Sequence, residues 1–162
     1  MPVISIILTS FNHEKYICEA IDSVLAQTFS DFELIIWDDD SSDNSWHLIN
    51  QYSDSRIKAF RNDERKRGTW GINKAISEIA AGAYIAIHHS DDTWAPDKLE
   101  KQLSFLKDNP KYGAVFTNVM AISDNGEPID DPGNYYFFLD FEGQLSDQKV
   151  KNVLETVKDN SV

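Results

Sequence analysis

Phe32-Glu33-Leu34-Ile35-Ile36-Trp37 runs without a break into Asp38-Asp39-Asp40-Ser41-Ser42-Asp43. Six residues with almost no polar alternation read as a strand covered on both faces. The abrupt switch to acids and hydroxyls marks the strand's carboxyl end. Residues 3–9, 57–60 and 83–88 are runs of the same kind, and residues 114–122 read as a fifth strand ending at the turn signal Asp124-Asn125-Gly126.

Between the runs the period changes. Ile17, Ala20, Ile21, Val24 and Leu25 recur at helical spacing, with Asn12 upstream as a cap. Trp46, Ile49 and Tyr52 mark a second helix. Ile72, Ala75, Ile76 and Ile79 mark a third, with Gly82 in the place of a C-cap glycine. Leu99, Leu103 and Leu106 line a fourth, with Pro96 in its first turn. Strand and helix alternating in this way predict an α/β fold, a mostly parallel sheet with helices on both faces. Residues 131–143 are irregular and rich in aromatics, and residues 147–157 read as a last helix.

A chain of 162 residues suits one domain and buries enough surface to fold without disulfides. Its single cysteine, Cys18, fits a reducing compartment. The apolar start lacks the cationic lead and cleavage site of a signal peptide, and no apolar run approaches the roughly 20 residues that span a bilayer. The expected location is therefore the cytoplasm. Fifteen basic against 27 acidic residues give a formal charge of −12, a surface that repels nucleic acid and anionic lipid. An anionic ligand would need something to offset that repulsion.

In open α/β sheets ligands bind outside the carboxyl ends of the strands. Three such ends carry unusual residues: Thr9-Ser10-Phe11-Asn12, the run Asp38 to Asp43, and Ser90-Asp91-Asp92. Asp91 and Asp92 suit a hard cation such as Mg²⁺ or Mn²⁺, which takes one or two carboxylates and completes its shell with water and phosphate. Such an ion would let a diphosphate approach and would stabilise it as a leaving group. Asp38 and Asp39 could accept hydrogen bonds from a base or ribose, while Asp40, Ser41, Ser42 and Asp43 suit capping of the next helix. Phe11 could stack on a base or belong to the core. Arg61, Arg65, Lys66 and Arg67 form the one dense basic run, suited to phosphate oxygens or to solvent. His88 and His89, as successive strand residues, point to opposite faces and cannot share a zinc ion.

In combination these segments resemble family 2 inverting glycosyltransferases. The match runs from Val3-Ile4-Ser5-Ile6-Ile7-Leu8-Thr9-Ser10-Phe11-Asn12 through Ala20-Ile21-Asp22-Ser23-Val24-Leu25-Ala26-Gln27-Thr28 and Trp37-Asp38-Asp39. It continues through Ala81-Gly82-Ala83-Tyr84, Ser90-Asp91-Asp92 and Trp94-Ala95-Pro96-Asp97-Lys98-Leu99. The resemblance implies the Rossmann-like GT-A fold, a nucleoside-diphosphate-sugar donor (most often UDP-linked), and Mn²⁺ or Mg²⁺. It places Thr9, Phe11, Asp38, Asp39, Arg67 and Asp91 at the nucleotide, with Asp39 reading uracil and Asp91 near the ribose, and makes Asp92 the metal ligand. Residues 1–162 are then one nucleotide-sugar-binding domain, the N-terminal part of a longer enzyme. The acceptor is a saccharide or a lipid-linked saccharide, which is compatible with peripheral association of the full-length protein at the inner face of a membrane.

Asp40 stands where the family often has glycine or asparagine, and Ser90 where an acid is usual. No residue maps to the family's catalytic base. Two readings compete with sugar transfer. One is a Mg²⁺-dependent aspartyl-phosphate phosphatase built on Asp38-x-Asp40; the other is a module that binds a nucleotide sugar without catalysis.

Overall fold

Each of the first four apolar runs forms a strand in the computed structural model, which describes residues 1–117, 120–123 and 127–128. The strands are β1 (Ile4–Ser10), β2 (Phe32–Asp38), β3 (Ile57–Arg61) and β4 (Tyr84–His89), and the helices are α1 (Ile17–Leu25), α2 (Ser45–Ile49), α3 (Trp70–Glu78) and α4 (Lys98–Asp108). All three pairings are parallel, in the spatial order β3-β2-β1-β4. Thr9 lies opposite both Trp37 and His89, and Asp38 opposite both Ser10 and Arg61, so the carboxyl ends of all four strands share one edge.

Side-chain parity divides the sheet into two layers. Even positions Ile6, Leu8, Leu34 and Ile36 pack with Ile17, Ala20, Ile21 and Val24 of α1, Ile49 of α2, and Leu99 and Leu103 of α4. Odd positions Ile7, Ile35 and Trp37 pack with Ala75 of α3, bordered by Ile72 and Ile79. Helices therefore cover both faces, as the alternation predicts. Each fully buried aliphatic side chain contributes about 1.5–3 kcal/mol, which makes these two layers the main source of stability.

At the amino edge, away from the acids, a polar clasp ties four segments together. Glu33 is buried and accepts from Ser5 Oγ at 2.6 Å, Ala81 N at 2.7 Å and Lys58 Nζ at 2.7 Å. Burial pushes the Glu33 carboxyl up, but these donors together outweigh it and hold its pKa below the ordinary value. Gly82 belongs to this clasp and does not cap α3, whose C-cap is Ile79. A Cβ on Gly82 would lie 2.5 Å from Ser5 N, so the glycine is required by close backbone approach.

Three other local expectations are corrected. Asn12 sits at φ 55° and does not cap α1, which starts from Tyr16 without a side-chain cap. Pro96 precedes α4 by a turn, since the helix begins at Lys98 behind Asp97. No strand spans residues 114–122 among the described residues; Ile122 makes one isolated antiparallel bridge to Pro128. Phe116 and Met120 stay exposed there, so the apolar run has no described layer to join. Residues 1–113 form one compact unit, and a second begins at residue 114. The expected turn at 124–126, the aromatic stretch 131–143 and the helix at 147–157 lie outside the described residues.

Candidate nucleotide and metal site

Parity also decides which edge residues face a ligand. Asp38 is the last residue of β2 and an even position, so its side chain turns into the α1 layer and is fully buried. Its Oδ1 accepts from Ser41 N at 2.9 Å and its Oδ2 from Ser41 Oγ at 2.5 Å, with Arg61 Nε 3.5 Å from Oδ1. Burial raises its pKa above the ordinary carboxylate value, although the Ser41 hydrogen bonds and Arg61 act the other way. Asp38 thus builds the loop, with both carboxylate oxygens engaged by Ser41. The same enclosure removes it as a phosphatase nucleophile.

The loops after β1 and β2 are knitted to one another. Asn12 N donates to Ser41 Oγ at 2.9 Å, and Ser42 N returns a bond to Asn12 Oδ1 at 2.8 Å. Asp39 N donates to Ser10 O at 2.9 Å. Asp40 adopts φ 63°, the left-handed conformation that glycine takes without steric cost and aspartate tolerates, and pairs with Arg61. None of the residues expected to cap α2 is its N-cap, which is Asn44 without a side-chain cap bond, although Asp43 Oδ1 accepts from Ser45 N at 2.9 Å.

Asp39 turns the other way, to the α3 side. Its Oδ1 accepts from Asn62 Nδ2 and from Lys66 N, both at 2.7 Å, and its Oδ2 from Arg67 N at 2.8 Å. Arg67 and Gly68 both have positive φ, 64° and 56°, and that bend presents successive N–H groups to the carboxylate. Partial burial pushes Asp39 up, but the Lys66 and Arg67 amides, Asn62 and the Arg65 charge outweigh it, so its pKa is lowered. A carboxylate has about four acceptor positions. Three are filled here, which leaves one on Oδ2.

Phe11 belongs to neither core layer, and Arg65 lies over its ring with Cζ 3.5 Å from the centroid. The segment 65–67 therefore joins Phe11 to Asp39. Thr9, an odd position between Trp37 and His89, is half-buried on the same side of the sheet. Arg67 contributes its backbone N–H to this cluster. A cleft of about 430 Å³ shares Asn62 and Lys66 with it but is not lined by Phe11, Asp91 or Asp92.

At the end of β4, His88 is buried and His89 exposed, the alternation their adjacency dictates. Asp91 and Asp92 follow, both exposed. His13 reaches across from the β1 loop, with Nδ1 2.7 Å from Ser90 Oγ and 4.0 Å from Asp91 Oδ1. Crowding of the Asp92 carboxyl, and then the charge of Asp91, raises its pKa above the ordinary value. Among the described residues no group of three or more His, Cys, Asp or Glu side chains converges as a complete metal cage. Two adjacent exposed carboxylates fit a divalent cation that draws its remaining ligands from water and phosphate.

The sequence singles out neither Asn62 nor His13, and it marks Arg65 only as part of a basic run suited to phosphate or solvent, not as the cation over Phe11. The rule that draws attention to carboxyl ends covers β3 as well, and Arg61-Asn62 is the end of β3.

Four parallel strands whose carboxyl ends share one edge, with helices on both faces, define an α/β domain of the GT-A type. The chain belongs to glycosyl transferase family 2, whose sequence pattern matches residues 5–154. It is 41% identical over 124 residues to the UDP-Glc:alpha-D-GlcNAc-diphosphoundecaprenol beta-1,3-glucosyltransferase WfgD of Escherichia coli, a match covering 76% of this chain and 48% of that one. Staphylococcus aureus TarS 1-349 in complex with UDP-GlcNAc superposes with a TM-score of 0.63 at 24% identity, over 74% of this chain and 38% of that one. The mannosyltransferase PcManGT from Pyrobaculum calidifontis, in complex with GDP-Man and Mn²⁺, gives 0.61 at 22% identity, over 67% and 33% of the two chains. The chain spans about half the length of the curated relatives it matches.

Proposed function

We propose that this chain is the donor-binding half of a metal-dependent glycosyltransferase. In this reading a sugar passes from a UDP-linked donor to the hydroxyl of a saccharide or lipid-linked saccharide, with inversion at the anomeric carbon. The observation that carries it is the Asp39 carboxylate, held ionised at the sheet's carboxyl edge with one acceptor position left on Oδ2. One acceptor aimed at the position of the ring nitrogen between the two exocyclic groups favours a base that carries a ring N–H there. Uracil and guanine both do, whereas cytosine and adenine present a lone pair there. WfgD is named for UDP-Glc, and that favours uracil.

Phe11 supplies the flat surface for the base, which takes the place the Arg65 guanidinium holds, so donor binding moves Arg65. Asp91 faces the ribose side and Asp92 holds Mn²⁺ or Mg²⁺. The bound ion supplies Lewis-acid stabilisation of the departing diphosphate. The carboxylate that takes the acceptor's proton comes from the acceptor-binding half of a longer protein.

Calorimetric titration with UDP, in Mn²⁺ and in chelator, tests the reading. Affinity should be higher in Mn²⁺, and Asp92→Ala should remove that gain, by roughly 10–100-fold or more, the range seen even for outer-shell changes at metal sites. Equal affinity in the two buffers would refute the metal site.

A further inference from the structure

Behind Asp39 lies a short relay of side chains. Trp37 Nε1 donates to Asn62 Oδ1 at 2.9 Å, and Asn62 Nδ2 donates to Asp39 Oδ1 at 2.7 Å. Trp37 and Asn62 are both buried. The indole is fixed in its turn, stacked on Phe60 with centroids 5.1 Å apart and edge-on to Trp70 at 5.7 Å. Asn62 N also donates to Asp38 O at 2.9 Å, so its backbone extends the edge of β2.

The direction of this relay follows from donor chemistry. An indole N–H can only donate, so the amide must turn its oxygen to Trp37. Its NH₂ then has to face Asp39, which as an ionised carboxylate can only accept. Neither end of the amide can be reversed without burying two donors or two acceptors against each other, at a cost that a buried site does not tolerate.

We propose that Asn62 is a positioning residue for base recognition. Its amide, oriented by Trp37, fixes the rotation of the Asp39 carboxylate so that the remaining Oδ2 acceptor faces the base. This rests on reading Asp39 as the group that accepts the base N–H. The relay then sets selectivity between bases and leaves diphosphate and metal binding to other residues.

UDP and CDP share ribose and diphosphate and differ at the base, so their affinity ratio reports this role. In Mn²⁺, wild type should prefer UDP. Asn62→Ala should lower UDP affinity about tenfold, the effect of losing a hydrogen bond to a charged group, with CDP little changed. Asn62→Asp keeps an acceptor for Trp37 but turns an oxygen to Asp39, and should lose more of the preference than alanine does. Trp37→Phe keeps the ring without the N–H and should lose part of it. In an Asp39→Ala background, Asn62→Ala should have no further effect on UDP, because the pair acts as one unit.

Thermal melts identify the variants that remain folded, and Asn62, at the edge of the sheet, provides a readout independent of the core residue Trp37. A folded Asn62→Ala protein with the wild-type UDP preference would overturn the proposal, as would equal losses for UDP and CDP. Wild type that binds UDP and CDP alike would instead overturn the base-reading role of Asp39, and this proposal with it.

Discussion

Asp38 and Asp39 are chemically identical neighbours with opposite environments. Asp38 is enclosed by Ser41 and Arg61, and Asp39 is open on one side. Removing the Asp38 carboxylate strands the Ser41 hydroxyl and amide in a dry site. Asp38→Ala should therefore cost about 2–4 kcal/mol in urea unfolding. Asp38→Asn can accept from Ser41 N and donate to Ser41 Oγ, so it should fold and bind UDP nearly as wild type does. A folded Asp38→Asn protein that no longer binds UDP would restore Asp38 as a direct contact. The sequence marks both acids as candidates, but it leaves Asp38 looking like a loop residue, because the apolar run stops at Trp37. The ladder continues one residue further, pairing Asp38 with Ser10 and Arg61, and that single position turns its side chain inward. Asn62 was illegible, and Arg65 legible only as part of a basic run, for another reason. Their roles depend on a loop whose backbone, not its side-chain pattern, caps Asp39.

At the scale of elements, the four strands and four helices follow from apolar periodicity, but the strand it predicts over 114–122 is not formed among the described residues. Periodicity also misplaces ends, where one or two hydrogen bonds decide: Asn12, Gly82 and Pro96 all serve contacts between segments and not the helix next to them. β4 shows the consequence of alternation for stability. His88, an even position, is buried against the α1 layer, with Nε2 3.4 Å from Ala20 O and its ring 4.4 Å from that of Trp94. Burial chiefly pulls its pKa down to about 4, from 6.5. Above pH 6.5 the ring is neutral in folded and unfolded chains alike, and it has no pH-linked effect. As pH falls below 6.5 the unfolded chain gains a proton that the native state refuses until about 4. Stability should decline across that window, by about 3 kcal/mol at its lower end. Urea unfolding at several pH values should show the decline, and His88→Leu should flatten it. The lowered carboxyls of Glu33, Asp39 and Asp54 lose their contribution only at more acid pH, so they do not mimic this slope. An unchanged slope in His88→Leu would place the titrating group elsewhere.

For the whole molecule the governing quantity is the charge of −12 set against a ligand that is itself an anion. The local site softens the conflict with amides and Arg65, but the long-range field is still repulsive. Fields of this kind act over about 10 Å at 0.1 M salt and are screened beyond it. In chelator, then, added salt weakens the repulsion between protein and UDP, and affinity should rise, a few-fold between about 20 and about 300 mM NaCl. With Mn²⁺ present the dominant long-range term is attraction between the ion and Asp91-Asp92, and salt screens that as well. Affinity in Mn²⁺ should therefore fall with salt. The sign of the slope distinguishes a cation that bridges two repelling partners from one that merely tightens a fold. Under the second alternative, both slopes would be positive, because the protein and the nucleotide would still meet as like charges.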